Sequence, residues 1–324
     1  MATVSGMLKD ASVNGKPRDL MDLIFNVAPT DTPFLTMCGK SSATQTLHEW
    51  QTDTLAAPAA NAQLEGHDVS SYAESNTTEL SNRTQILEKA ISVSGTAQAV
   101  KQAGVSKQYS YQMALRMKEL KKDVEFALLS NVIGNAESGS TPRKMRGLPC
   151  WFTSANSDLG ASTGANANPA ASPATACVAG TTRVPTQALV MGVLTSVYTN
   201  GGNPDCIMMA PEIRVKMSSV LNASGVTRME YTDKKKATAV IDVFVSDFGT
   251  LKLIPNRVQA AVTYSKDAAF MLDPDYWKVA YLRGFREEQL ARTGDSIKGH
   301  IIVEATLEAR NPLSSGMLAD LKKA

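Results

Sequence analysis

The chain has 324 residues, 43% hydrophobic and 20% charged, enough to bury a large core, so wholesale disorder is excluded. Lys and Arg number 33 against 31 Asp and Glu, and a formal charge of +2 falls far short of the excess that neutralises a run of phosphates. Nucleic-acid binding by bulk charge is therefore excluded too, and length alone suggests about two domains.

At the N-terminus, Lys9, Asp10, Lys16, Arg18 and Asp19 interrupt any apolar run, so no secretory leader is read and maturation in a cytoplasm is expected. Residues 1–36 read as an arm. Its short apolar piece, Leu20, Leu23, Ile24 and Val27, runs into Pro29 and Pro33, which forbid a long helix. From Thr44 to Thr54 the chain has strand chemistry with little apolar surface. A second extended stretch, about Arg83 to Val93, follows a polar tip containing Pro58, Glu65, Gly66, His67 and Asp68. The pair predicts a long two-stranded loop, and because isolated hairpins are marginal in water it is expected to rest on another subunit.

The strongest helix is predicted from Ser106, its N-cap, to Leu129, with Met113, Met117, Leu120, Val124 and Leu128 as one apolar stripe. Thr153 to Gly180, rich in Ala, Ser, Asn, Gly, Thr and Pro, reads as a flexible surface loop. A helix follows from Pro185 to Asn200. Its apolar centre, Ala188 to Val197, is far shorter than the ~20 residues of a membrane span. Asp205 to Ala210 reads as a buried strand, Pro211 opens a further helix, and a charged connection, Arg228 to Lys236, leads to a strand at Ala239 to Ser246. Strands are then predicted at Thr250 to Ile254, Ala269 to Leu272, Tyr276 to Arg283 and His300 to Arg310. In the last, Ile301, Val303, Ala305, Leu307 and Ala309 form a core face, and the opposite face is expected to be mostly solvated. Its length suits side-by-side packing with the long helix.

No chemistry-bearing motif survives scrutiny. Cys38, Cys150, Cys177 and Cys206 stand far apart and read as reduced packing residues; sequons at Asn76, Asn82 and Asn222 carry no weight without secretion. Gly134 to Thr141 has Walker-like glycine spacing, but Ser140 replaces the Lys. His48-Glu49-Trp50-Gln51-Thr52 lacks the second His of a zincin. Glu65, His67 and Asp68 read as solvated rather than cation-binding, Lys234-Lys235-Lys236 as a solvated loop, and His300 as structural. No catalytic, cofactor-binding or metal residue is assigned.

Certain segments, in this order, resemble a known family: Arg18-Asp19-Leu20 through Pro33-Phe34-Leu35, His48 to Asp53, Val93-Ser94-Gly95-Thr96, and Glu119-Leu120 with Asp123 and Glu125. Further on come Ser246 to Leu251, Leu272 to Trp277, Thr293 to Ser296 and Glu304 to Asn311. The chain resembles the major capsid (major head) proteins of tailed bacteriophages, in the subfamily common in short-tailed phages. The resemblance implies the α+β Hong Kong 97-like, or Johnson, fold. By it, residues 1–36 would be the N-arm, 37–97 the E-loop, 98–137 the spine helix of the P-domain, 138–262 the A-domain, and 263–324 the P-domain strands and C-terminus.

The implied function is structural: pentamers and hexamers would assemble into an icosahedral head in the bacterial host cytoplasm and enclose double-stranded DNA without sequence-specific binding. Relatives that weld their shells use an E-loop Lys, but no Lys lies between Lys40 and Lys89, so noncovalent contacts and a cement protein are expected instead. The arm begins almost at Met1, which implies a separate scaffolding protein; a portal protein is the other expected partner, and no membrane is. Trp50, Glu65, His67 and Asp68 are the candidate inter-subunit contacts, with packing of Trp50 inside its own subunit as the alternative. An encapsulin-type compartment and, from another class, a soluble enzyme using the α/β middle are the rival readings.

Overall fold

The computed structural model describes residues 29–69, 72, 76–102, 104–160, 164–168, 174–223 and 243–322. The apolar arm piece from Leu20 to Val27 and the lysines at 234–236 lie outside them.

A short helix α1 (Pro33–Met37) ends the arm, and β1 (Gly39–Ser42) follows. Strands β2 (Leu47–Thr52) and β3 (Thr78–Arg83) form an antiparallel two-stranded ribbon with Trp50 opposite Leu80. The second strand of this ribbon is therefore 78–83, not the predicted stretch 83–93. Those later residues form β4 (Gln85–Ser94), which leaves the ribbon at Thr84 and pairs with the long strand near the C-terminus. Helix α2 (Gly95–Ala99) is capped by the Ser94 hydroxyl, and the spine helix α3 runs Gln108–Leu129. Ser106 is not its N-cap: Lys107 holds that position without a side-chain cap, and the Tyr109 N–H donates instead to Gln98 Oε1 at 3.2 Å.

Beyond β5 (Ser157–Asp158), α4 (Gln187–Thr199) begins at a Thr186 cap and buries Val190, Val193, Leu194 and Val197. The chain continues through β6 (Cys206–Met209), α5 (Pro211–Ala223), β7 (Val243–Ser246), β8 (Gly249–Pro255) and β9 (Ala269–Leu272). Two fourteen-residue strands, β10 (Trp277–Leu290) and β11 (Ser296–Ala309), precede β12 (Gly316–Leu318).

Two larger sheets organise these elements. One has the order β1-β10-β11-β4, the other β5-β12-β9-β6-β8-β7. Period-two alternation explains why β6 and β9 are buried at every position: Cys206, Met208, Phe270 and Leu272 face the main core, while Ile207, Met209, Ala269 and Met271 face a second core under α4 and α5. Sheet membership cuts across sequence blocks. Strand β9 lies in the six-stranded sheet beside β12, which the sequence pattern does not predict, and β4 lies in the four-stranded one.

Helix α3 packs along β4 and β11, closely enough at Gly299 that a Cβ there would have to displace the Tyr109 hydroxyl. The expected solvated face of β11 is not solvated. Ile302, Glu304, Thr306 and Glu308 are 8%, 2%, 0% and 5% exposed; at the ribbon root Thr84 meets Glu304 and His48 meets Glu308. Within 153–180 the described residues hold more structure than their composition implies. Bridges Ala165 to Val178 and Asn168 to Thr175 make a ladder, and Ala167 and Cys177 are buried. Asp320, at φ 57°, ties down the ladder's base by accepting from the Gly160 and Gly180 N–H groups, each at 2.9 Å.

Candidate functional site

The β2–β3 ribbon joins the sheets at one end and carries the exposed stretch 53–69 at the other. At the root, Trp50 Nε1 donates to the Ala309 carbonyl at 2.8 Å, and its ring lies 5.5 Å from Trp151, over which Arg146 is placed at 4.5 Å. Trp50 and Leu80 both pack against the main core. The ribbon thus has an apolar attachment on its own subunit, made through Trp50 and Leu80.

The rest of the root is a polar socket. Buried Asn82 donates to the carbonyls of Leu307 and Arg146 and accepts from the Arg146 N–H at 2.7 Å, so this sequon asparagine is a structural amide. His48 Nε2 lies 3.2 Å from Glu308, which also accepts from Arg310 at 2.9 Å. Glu304 accepts from Thr84 at 2.8 Å, from Arg283 at 2.7 Å and from Arg143. Burial pushes both carboxyls up, but the hydrogen bonds outweigh it: those from Thr84, Arg283 and Arg143 hold Glu304 low, and those from Arg310, Ser41 and His48 hold Glu308 low. Thr84 is the corner at which the chain turns from ribbon to sheet, so Glu304 fixes the direction in which the ribbon leaves.

Beyond Thr52 the picture reverses. Among the described residues, 53–69 have no strand or helix and every side chain is exposed. Glu65, His67 and Asp68 sit together at a tight turn closed by the His67 N–H on the Leu64 carbonyl, with Gly66 at φ 81°. No group of three or more possible metal ligands occurs among the described residues. The loop also holds Leu55 at 100%, Leu64 at 87%, Val69 at 58% and Tyr72 at 84% exposure.

At the arm, Glu125 of α3 is fully buried, and its oxygens accept from the N–H groups of Phe34 (2.9 Å) and Leu35 (2.7 Å) and from Asn256 Nδ2 (2.7 Å). The Phe34 and Leu35 N–H groups are first-turn donors of α1, which Thr32 leaves uncapped. Burial pushes this carboxyl up in spite of the three donors.

Sequence reasoning missed Asn82, Glu125, Arg143, Glu304 and Glu308. One signal was visible: Ile302 stands on the supposedly wet face of β11, which a solvated face would not favour. The remaining chemistry is as bland as its sequence. The Walker-like segment is a hairpin bridged from Ser138 to Thr141, His300 pairs with Glu288 at 3.3 Å, and all four cysteines are free and buried. No helix among the described residues is long and apolar enough to cross a membrane.

A family model described as SU10 major capsid protein matches residues 3–322. The chain is 29% identical to the major capsid protein of Escherichia phage Phieco32 over 94% of each chain. In fold it is similar to the subunit in the Cyanophage A-1(L) capsid asymmetric unit, with TM-score 0.68, 14% identity, and 97% of this chain and 98% of that one covered. It is also similar to the SrpI encapsulin of Synechococcus elongatus, with TM-score 0.57, 10% identity, and 98% and 97% covered.

Proposed function

This chain belongs to the SU10 major capsid protein family, and from that premise we propose how its parts build a shell. It is a phage major capsid protein of the virion, with the Hong Kong 97-like fold, and its subunits self-assemble into a capsid lattice. The encapsulin likeness, at 10% identity, is one of fold alone, so the phage reading stands over the compartment.

In our reading the subunits form pentamers and hexamers and enclose double-stranded DNA. The E-loop, within 37–97, reaches a neighbour's P-domain, and the A-domain, within 138–262, lies at the capsomer axis. The spine (98–137) and the 263–324 strands carry the P-domain, with 1–36 as the arm. The observation that carries this is the contrast along the ribbon: a root held by Trp50, Asn82, Glu304 and Glu308, and a tip whose Leu55, Leu64 and Tyr72 face only water. Such contacts are individually weak and multiply across a closed shell. Glu65, His67 and Asp68 are assigned to the inter-subunit contact, at its polar rim. A separate scaffold, a portal and a cement protein complete the assembly, and the chain itself performs no catalysis.

Replacing residues 55–69 by a Gly-Ser linker tests the reading. The subunit should keep its thermal unfolding transition but yield no closed shells by negative-stain electron microscopy when expressed with the neighbouring reading frames of its operon. Shells of normal diameter from this variant would refute the role of the loop.

A further inference from the structure

We propose that Glu304 is a positioning residue for assembly: by fixing the angle at which the β2–β3 ribbon leaves its subunit, it sets the diameter at which shells close. Packing by Trp50 and Leu80 attaches the ribbon, but apolar contact is nondirectional and leaves the tilt open. Hydrogen bonds weaken steeply when misaligned, so they can hold an angle. They converge on Thr84, the fully buried corner between β3 and β4. Its N–H donates to the Thr46 carbonyl at 2.9 Å, its carbonyl accepts from Arg143 Nε at 3.0 Å, and its hydroxyl donates to Glu304 Oε1 at 2.8 Å. Arg143 also donates to that same Glu304 oxygen, so one guanidinium spans the Thr84 carbonyl and the carboxylate that the Thr84 hydroxyl meets.

Glu304 draws its donors from separate elements. Thr84 comes from the ribbon corner and Arg143 from the hairpin at 135–144. Arg283 comes from β10, where the β10–β11 register shifts on both sides of that residue, a strand irregularity of the kind that re-aims a side chain. The hairpin with Walker-like glycine spacing thereby gains a role: its bridges Asn135 to Lys144 and Ser138 to Thr141 carry Arg143 to the root. A buried carboxylate with paired cations adds little stability over a well-packed apolar residue, and its best-attested use is to single out one arrangement. The ribbon is also a lever. Its strands are six residues each, roughly 20 Å, so a tilt of about 10° moves the far end by roughly 3 Å, one residue's rise. A loop displaced that far meets its neighbour at a different angle, and the angle between copies decides how an assembly closes.

The inference rests on the assembly reading, and its test keeps the two apart. In the full-length unassembled chain, spin labels at Gln51→Cys and Lys118→Cys report the distance from ribbon to spine by double electron–electron resonance, the four native thiols being buried. Glu304→Leu and Thr84→Val should each shift or broaden that distance by roughly 3 Å or more, and Thr84→Ser, which keeps the hydroxyl, should restore it. In shells made with the neighbouring reading frames of the operon, Glu304→Leu and Thr84→Val should give mixed diameters by negative-stain electron microscopy, and Thr84→Ser a single one. A merely structural role would lower the yield of shells without changing their diameter, and that result would overturn the proposal. So would unchanged distances in both variants, or a Thr84→Ser chain as broad as Thr84→Val. Should Glu304→Leu fail to fold, the near-isosteric Thr84→Val decides alone. A wild-type chain that forms no shells would overturn the assembly reading and the diameter claim with it, whereas unchanged diameters beside normal wild-type shells would overturn only the role of Glu304.

Discussion

Truncating Trp50 separates a contact made within the subunit from one made between subunits. The indole is half-buried, lies 5.5 Å from Trp151 and donates to Ala309 at 2.8 Å. Full burial makes a Trp→Ala change cost ~3–5 kcal/mol, and half-burial scales this to about 2. The Ala309 carbonyl, left partly orphaned, brings the total to about 2–3 kcal/mol. Trp50→Phe keeps most of the ring contact and should cost only ~1 kcal/mol, mainly the lost hydrogen bond. Urea unfolding of the unassembled chain, followed by far-ultraviolet circular dichroism, reads both as a lower midpoint with an unchanged slope. A loss of 2–3 kcal/mol lowers the folded-to-unfolded ratio roughly 30- to 150-fold. If Trp50→Ala left the unassembled chain within about 0.5 kcal/mol of wild type while shells fell apart, the ring would be serving a neighbour and the root description would be wrong.

Acid should loosen the ribbon root. Glu304 and Glu308 are held low, so their stabilisation is present above the unfolded carboxylate value of ~4.3 and is lost as pH falls through their lower folded values. Hydrogen exchange of 47–52, corrected for intrinsic rate, should rise only below about pH 4, and Glu304→Gln with Glu308→Gln should flatten that rise. Glu125 has the opposite sign. Its folded value is raised, so its contribution to stability grows as pH falls through that value, and Glu125→Gln should remove this gain from the pH dependence of urea stability measured above pH 4.5. Glu125→Leu strands the buried Phe34 and Leu35 donors and should cost about 2–4 kcal/mol in the same urea experiment. The thiols of Cys150 and Cys206 are pushed up to about 12 by burial, so iodoacetamide at pH 8 should label neither until urea unfolds the chain, as read by mass spectrometry.

Much of this fold is written locally. The 3.6-residue stripe from Met113 to Leu128 determines the spine helix, Pro185 and Pro211 mark the starts of α4 and α5 to within two residues, and alternation from Ile301 to Ala309 determines the core face of β11. Periodicity reports which face of an element is apolar, so these are legible without partners. What covers the other face is a question of partners distant in the chain, and only the tertiary structure answers it. Thr84 meets Glu304, and Glu125 meets Phe34, across 220 and 91 residues. A polar face such as Glu304, Thr306 and Glu308 looks solvated until the ribbon root closes over it, because a carboxylate satisfied by hydrogen bonds can be buried as completely as a leucine. The same physics seats Trp50 against the core of its own subunit and reassigns 85–94 from ribbon to sheet. Strand register is chosen by whichever pairing buries the most side chains at once, a sum over the whole chain that no local window contains.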